Sequence, residues 1–378
     1  MPVKPLKTFL FSLLASPSRF SKRSRLPTLL VLAYSPLPPL ATLHRLRTNV
    51  DKEILLAARR DTTTGSKHRI TVLLKEEITS VERKLESAGR NIATVFSTVS
   101  TLATIVPAML GVVAMFTEPT SAAAFILSLS FSVLALSVLG AVVYPAQLAL
   151  PYYRKKWELL ALLLTLPLSL VIGPLTALLA VSAPLSLLAL ASRRKALGEL
   201  SESFEWLKGA ASTPWSPLYG SGACVDALES QAKWELADSM RRLVLLAGTY
   251  GASDLLEDAV KVYGRLVGAV KELSAKGLEM LFYCLISAAL GAAALGVSVS
   301  TFSLFATVPA GFMGINVGAT DPEALRACIE WSLAVTSLGL SVLTAWSREG
   351  NPLYLSEYLP LLTAATLIGF KAGEAIML

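Results

Sequence analysis

Residues 92–116 contain no charged side chain, and the stretch leading into them, 72–91, is densely charged and amphipathic. At 1.5 Å per residue, a helix over the uncharged run covers the ~30 Å of bilayer hydrocarbon. Lipid offers no partner to an open backbone, so such a run crosses as a helix. The succession occurs a second time, where a charged stretch beginning at Ser253 runs into the apolar residues 278–306. These two copies, 72–116 and 253–306, constrain the fold more than any motif in the chain.

Composition points the same way. Of 378 residues, 53% are hydrophobic and 16% charged, with a mean hydropathy of +0.58, too apolar for an ordinary soluble domain. The expected fold class is all-α: a polytopic helical membrane protein with cytoplasmic helical bundles. Its 34 Lys and Arg exceed its 27 Asp and Glu, mostly before Asn91. Beside membrane spans, Lys and Arg are retained on the cytoplasmic side, which accounts for the excess. Scattered and without interleaved aromatics, they do not make a nucleic-acid surface. Cys224, Cys284 and Cys328 are far apart and read as free thiols, with neither a disulfide framework nor metal spacing.

Charge and apolar length together give a topology. Residues 9–15 are a short apolar run followed by Arg19, Lys22, Arg23 and Arg25 where a signal peptide has small residues, so cleavage is not expected. Residues 26–43 hold Pro27, Pro36, Pro38 and Pro39 and read as a buried or interfacial cytoplasmic segment. Residues 92–116 cross outward, a turn with Glu118 and no Lys or Arg lies outside, and 122–150 return to Arg154, Lys155 and Lys156. The stretch 157–192 is basic at both ends, which calls for an even number of crossings: a hairpin turning at Gly173-Pro174, or a re-entrant pair. Residues 278–313 cross outward, 328–346 return to Arg348, and 354–378 cross out again. The total is about seven crossings with the N-terminus inside. The chain then divides into an N-terminal cytoplasmic segment (1–91), a membrane region (92–192), a cytoplasmic bundle (193–277) and a C-terminal membrane region (278–378).

The charged helices carry packing seams. In the first copy Leu74, Ile78, Val81, Leu85, Ala88 and Ile92 recur at alternating spacings of four and three, with Lys75, Glu76, Glu82, Arg83, Lys84 and Glu86 on the other faces. In the second, Ser253 is a good N-cap, Asp254, Glu257 and Asp258 suit the first turn, and Leu256, Ala259, Tyr263, Leu266, Val267 and Val270 follow at helical spacing. Nothing stronger than a glycine interrupts either copy before its span. Ahead of the second copy, 215–222 is a turn-rich linker, 225–236 and 239–247 are helical, and Gly248 and Gly251 separate the latter from the next helix.

At Gly222, Ala227 and Leu228, followed by Gly248, Gly251, Asp254 and Glu257, the chain resembles a family. The layout is similar to the inner-membrane platform proteins of type II secretion and type IV pilus systems, particularly the archaeal pilus and archaellum branch related to tight-adherence platforms. That resemblance implies a non-enzymatic protein of the cell membrane, working as a dimer or higher homo-oligomer. It docks a hexameric secretion ATPase on its cytoplasmic bundles and passes pilin-like subunits from the lipid bilayer into a filament. Residues 45–91 depart from the pattern: they are short against the family's first bundle and lack its glycine and Ala-Leu pair.

Candidate chemistry is sparse. No glycine-rich loop ends in Gly-Lys-Ser/Thr, and Gly220-Ser-Gly222 lacks the strand context of a phosphate loop. His44 and His68 are the only histidines, so no catalytic residue, cofactor or metal is expected. Arg241, Arg242, Glu257 and Asp258 are the expected ATPase-facing surface, against the plainer reading of a solvated bundle face. Glu330, Lys371 and Glu374 are expected inside or at the edge of spans, as a local ion pair or as a contact for the charged start of a pilin helix. The small-residue spacings Ala292–Gly296 and Gly369–Gly373 permit close helix packing, within the chain or at a dimer seam. A transporter or channel is the alternative class; the central spans read as too poor in polar groups to favour it.

Overall fold

A computed structural model describes residues 25–46, 50–114, 119–139, 144–145, 148–212, 232–251, 254–306 and 322–376. Outside these lie the apolar run 9–15, the basic residues 19–23, Glu118, the linker 215–222, the Gly222, Ala227 and Leu228 part of the motif, Cys224, and Ser253. The described residues are helical or irregular, with no strand among them. In order, the helices are α1 (Arg25–Tyr34), α2 (Pro39–Leu46), α3 (Lys52–Thr64), α4 (His68–Ala114), α5 (Pro119–Leu139), a 3-10 segment (Lys156–Leu164), α6 (Thr165–Ile172), α7 (Pro174–Ala211), α8 (Glu235–Tyr250), α9 (Asp254–Ala306), α10 (Pro322–Glu349), a 3-10 turn (Pro352–Tyr354) and α11 (Leu355–Ile376).

Among the described residues, four helices are long and apolar enough to cross a membrane: Pro174–Ala211, Asp254–Leu304, Glu323–Glu349 and Pro352–Ile376. The chain is thus an all-α protein with the helices of a membrane protein, and the described residues show four crossing-length helices where about seven crossings are expected. Both copies of the charged-to-apolar succession are single helices, α4 over 47 residues and α9 over 53. Gly173, with φ of 84°, ends α6, and Pro174 begins α7 with the fixed φ that suits a first helical position. The break expected at Gly173-Pro174 is therefore present, but the second arm does not stop at Ser192. Arg193, Arg194 and Lys195 lie inside α7, which runs on to Ala211, because Arg and Lys are good helix formers and do not end a helix.

The chain forms two compact units. The first comprises Met1–Ala88, Pro145–Tyr153 and Ser192–Glu272. Its core draws Leu26, Leu29, Leu30 and Leu32 from α1, Leu236, Met240 and Leu243 from α8, and Leu256, Ala259, Tyr263 and Val270 from α9, all nearly inaccessible. Within residues 26–43, α1 is thus buried in this unit, whereas α2 buries Pro39, Thr42 and Leu43 and exposes Leu40 and Ala41; each helix is too short to cross. On α4 the seam resolves into a seven-residue repeat: Leu74, Val81 and Ala88 are buried, whereas Ile78 and Leu85 are half-buried. Gly248 lies within α8 and breaks nothing. The turn falls at Gly251, where φ is 68° and the N–H bonds to the Ala247 carbonyl, leaving Asp254 and Glu257 in the first turn of α9.

Buried polar groups in this unit fix helix ends. Asp61, 2% exposed, accepts from the backbone N–H groups of Arg69 at 3.2 Å and Ile70 at 2.9 Å, two donors the first turn of α4 cannot satisfy itself. Lys67 donates to the carbonyls of Ala33, at 3.3 Å, and Ser35, closing the C-terminal end of α1.

The second unit comprises Gly89–Tyr144, Arg154–Ala191 and Leu273–Leu378. In it α10 is the central element, packed along α5 and α11. It buries Leu333, Leu340, Val342, Leu343 and Ala345, opposite Val133 on α5 and Leu362 and Phe370 on α11.

Burial lowers the Lys67 ammonium to about 8. The unfolded chain, with an ordinary lysine near 10.5, therefore holds more protons than the folded one between about pH 8 and 10.5. Stability of the full chain in detergent is expected to rise over that window, and Lys67→Met should flatten the rise in melting temperature.

Candidate functional site

In the second unit the three charged residues expected near span ends gather around a fourth, Arg326. Its guanidinium lies 3.0 Å from Glu374 Oε1 and 3.4 Å from Glu330 Oε1, while Lys371 Nζ donates to Glu374 Oε2 at 2.9 Å. Two helices supply the four charges: Arg326 and Glu330 sit four residues apart on α10, and Lys371 and Glu374 three apart on α11, each pair on one helix face. The cluster has two positive and two negative groups. Its carboxylates are the more enclosed, 15% exposed for Glu374 and 20% for Glu330, against 43% for Arg326 and 56% for Lys371. The bend at Gly173 faces it, since a Cβ there would lie 3.1 Å from Glu330 Oε2.

The cluster is held by a seam of small residues. A Cβ on Gly296 of α9 would stand 2.3 Å from the Phe370 carbonyl oxygen. On α11, one on Gly369 would stand 2.2 Å from that of Ala289, and one on Gly373 2.1 Å from that of Ala293. Nothing larger than hydrogen fits, so the two backbones lie in direct contact and Ser300 reaches the Glu374 carbonyl oxygen at 3.1 Å. The small-residue spacings thus serve packing within the chain.

Along α10, hydroxyls replace charges. Ser332, Ser337, Ser341, Thr344 and Ser347 are buried and Thr336 half-buried. Several bond across helices: Ser332 and Thr336 to Ser130 of α5, the latter at 3.1 Å, Ser337 to Thr366 of α11 at 2.9 Å, and Thr344 to the Cys284 sulfur of α9 at 3.6 Å. Between them is a cavity of about 10 Å³, lined by Ser130, Ser332, Thr336 and Thr366 among apolar neighbours. That volume suits about one water molecule. The interior is therefore richer in polar groups than the apolar reading of its spans expects. At the other end of α10, Glu349 is 1% exposed and accepts from the Tyr358 hydroxyl.

Of the four residues expected to face an ATPase, one lies in the interior. Arg241 is 7% exposed: its Nε donates to Ser203 Oγ at 2.9 Å, its guanidinium lies 5.0 Å from the Trp206 ring centre, and Glu202 is 3.8 Å away. It is a core residue of the first unit, because the helix face that carries it is the one α8 turns toward α7. Arg242 is half-buried and pairs with Asp238 at 2.7 Å; burial raises the Asp238 carboxyl, and Arg242 opposes that. Glu257 and Asp258 are exposed on α9, Asp258 pairing with Lys261 at 3.0 Å. Cys284 and Cys328 are free thiols, and no group of metal-ligating side chains occurs among the described residues.

No protein-family model, curated protein or solved structure matches the chain. A double-mutant cycle on Arg326→Gln and Glu374→Gln, read from melting of the full chain in detergent, should give a coupling of about 0.5–3 kcal/mol. Additive effects would show that the pair contributes nothing to stability.

Proposed function

We propose that this chain is a platform protein of the cell membrane, built for assembly of a type IV pilus-like filament. It crosses about seven times with its N-terminus in the cytoplasm, docks a hexameric secretion ATPase on its charged helices, and couples that motor's motion to the insertion of pilin-like subunits. It catalyses no reaction itself and works as a homo-oligomer. The observation that carries this reading is α9, one helix of 53 residues whose first turn is acidic and whose latter half is apolar. α4, without acids in its first turn, likewise runs as one helix from charged into apolar sequence. Packed helices deform little, so a displacement applied to the charged half of such a helix reaches the apolar half. The resemblance at Gly248, Gly251, Asp254 and Glu257 adds to it, since Gly251 makes the turn and the two acids open the helix.

With Arg241 inside the first unit, the exposed acids Glu257 and Asp258 become the docking contacts of this proposal, and Arg242 its half-buried edge. A transporter or channel is the second reading, favoured by the hydroxyls along α10 and the cavity among them. A volume for about one water leaves no room there for a larger solute without rearrangement.

Two copies of Gly-Gly-Ser inserted after Ala275, an exposed position of α9, should leave ATPase co-purification intact and abolish filament assembly. Normal filaments from that variant would overturn the coupling, and flux of a solute into liposomes holding the wild-type chain would favour transport.

A further inference from the structure

The exposed face of α7 changes character once along its length. Ala180, Ala183, Pro184, Leu187 and Ala191 follow one another at helical spacing, all exposed and uncharged, with Leu187 68% accessible. One turn further the same face presents Arg194 and Lys195, and beyond them come Ser201, Glu202 and Glu205. An apolar stripe that gives way to cations and then to acids marks where a helix leaves hydrocarbon, passes the headgroups and enters water.

At that level the first unit builds a cationic site around one ring. Tyr153 is held against α7 by its backbone N–H, which donates to Ser192 Oγ at 2.8 Å, and its hydroxyl donates to Glu199. The ammonium groups of Lys195 and Lys233 each lie 5.0 Å from the centre of that ring. Lys233 is fixed there by donating to the Tyr152 carbonyl at 2.7 Å. Neither lysine has a carboxylate within ion-pair reach of its ammonium among the described residues, and both are exposed. Two like charges held at one ring repel each other, and a bound anion relieves that repulsion.

We propose that Tyr153, Lys195 and Lys233 hold the phosphate of an anionic membrane lipid, with Arg194 at its edge. The ring supplies an amphipathic surface at headgroup depth, and the two ammonium groups supply the charge. Zwitterionic lipid fits less well, because its own cation competes for the phosphate and meets the lysines. This inference rests on α7 crossing a membrane and is independent of filament assembly.

The test uses the full chain, delipidated in detergent and titrated with phosphatidylglycerol, phosphatidylcholine or inorganic phosphate, with bound lipid counted by native mass spectrometry and phosphate read as competition. Wild type should bind phosphatidylglycerol more tightly than phosphatidylcholine. Lys195→Gln, at an exposed position, should weaken that binding about fivefold, the effect of roughly one surface cation on an anionic headgroup. Lys195→Arg should restore it, and Lys195→Gln with Lys233→Gln should weaken it further. Equal affinity for the two lipids, an unchanged affinity in Lys195→Gln, or full displacement by an equal concentration of inorganic phosphate would overturn the proposal.

Discussion

Within the second unit, α9 can pack only because it offers its neighbours backbone instead of side chains. A Cβ on Gly277 would lie 2.6 Å from the Arg348 Cα, one on Gly291 2.2 Å from the Ala103 carbonyl oxygen, and one on Gly296 2.3 Å from that of Phe370. These positions bring α10, α4 and α11 within hydrogen contact of one helix, and α11 returns the arrangement with Gly369 and Gly373. In lipid there is no hydrophobic gain in bringing apolar helices together, so close packing of this kind and hydrogen bonds between helices do the holding. Any side chain at these glycines forces backbones apart, which in a well-packed interior costs about 1–3 kcal/mol and displaces what the backbones position.

What they position is a set of polar groups confined to α10 and its neighbours. The ion cluster sits near the start of α10, the hydroxyl pairs along its middle and Glu349 at its end. The contrast between the two ends is chemical. Around Arg326 the charges balance and stay partly open to solvent, so an approaching charged group finds partners ready to exchange. Glu349 is closed off and held by Tyr358, which suits a fixed helix end rather than a contact.

The periodicities were legible without coordinates. Alternating spacings of four and three on α4 and the apolar run of α9 announce long helices, and Gly173-Pro174 announces a break. The ion cluster was half legible: Lys371 and Glu374 are neighbours in sequence, but Arg326 lies 48 residues from Glu374, and only tertiary packing brings it there. The hydroxyl line on α10 left a signal at spacings of three to five, 332, 337, 341, 344 and 347 with Thr336 beside it, which hydropathy hides because Ser and Thr count as nearly neutral. Burial of Arg241 was not legible. Its long apolar stem and planar head suit a pocket with Trp206 and Ser203 as well as they suit water, and sequence alone does not distinguish the two.

The proposed coupling requires α9 to behave as one stiff body, and hydrogen–deuterium exchange of the full chain in lipid nanodiscs tests that directly. Amides from Tyr263 to Phe302 should exchange slowly as one block, with no step at the passage from charged to apolar sequence. A rapidly exchanging segment between Ser274 and Leu278 would show a hinge there, and motion applied to one half of α9 would not reach the other.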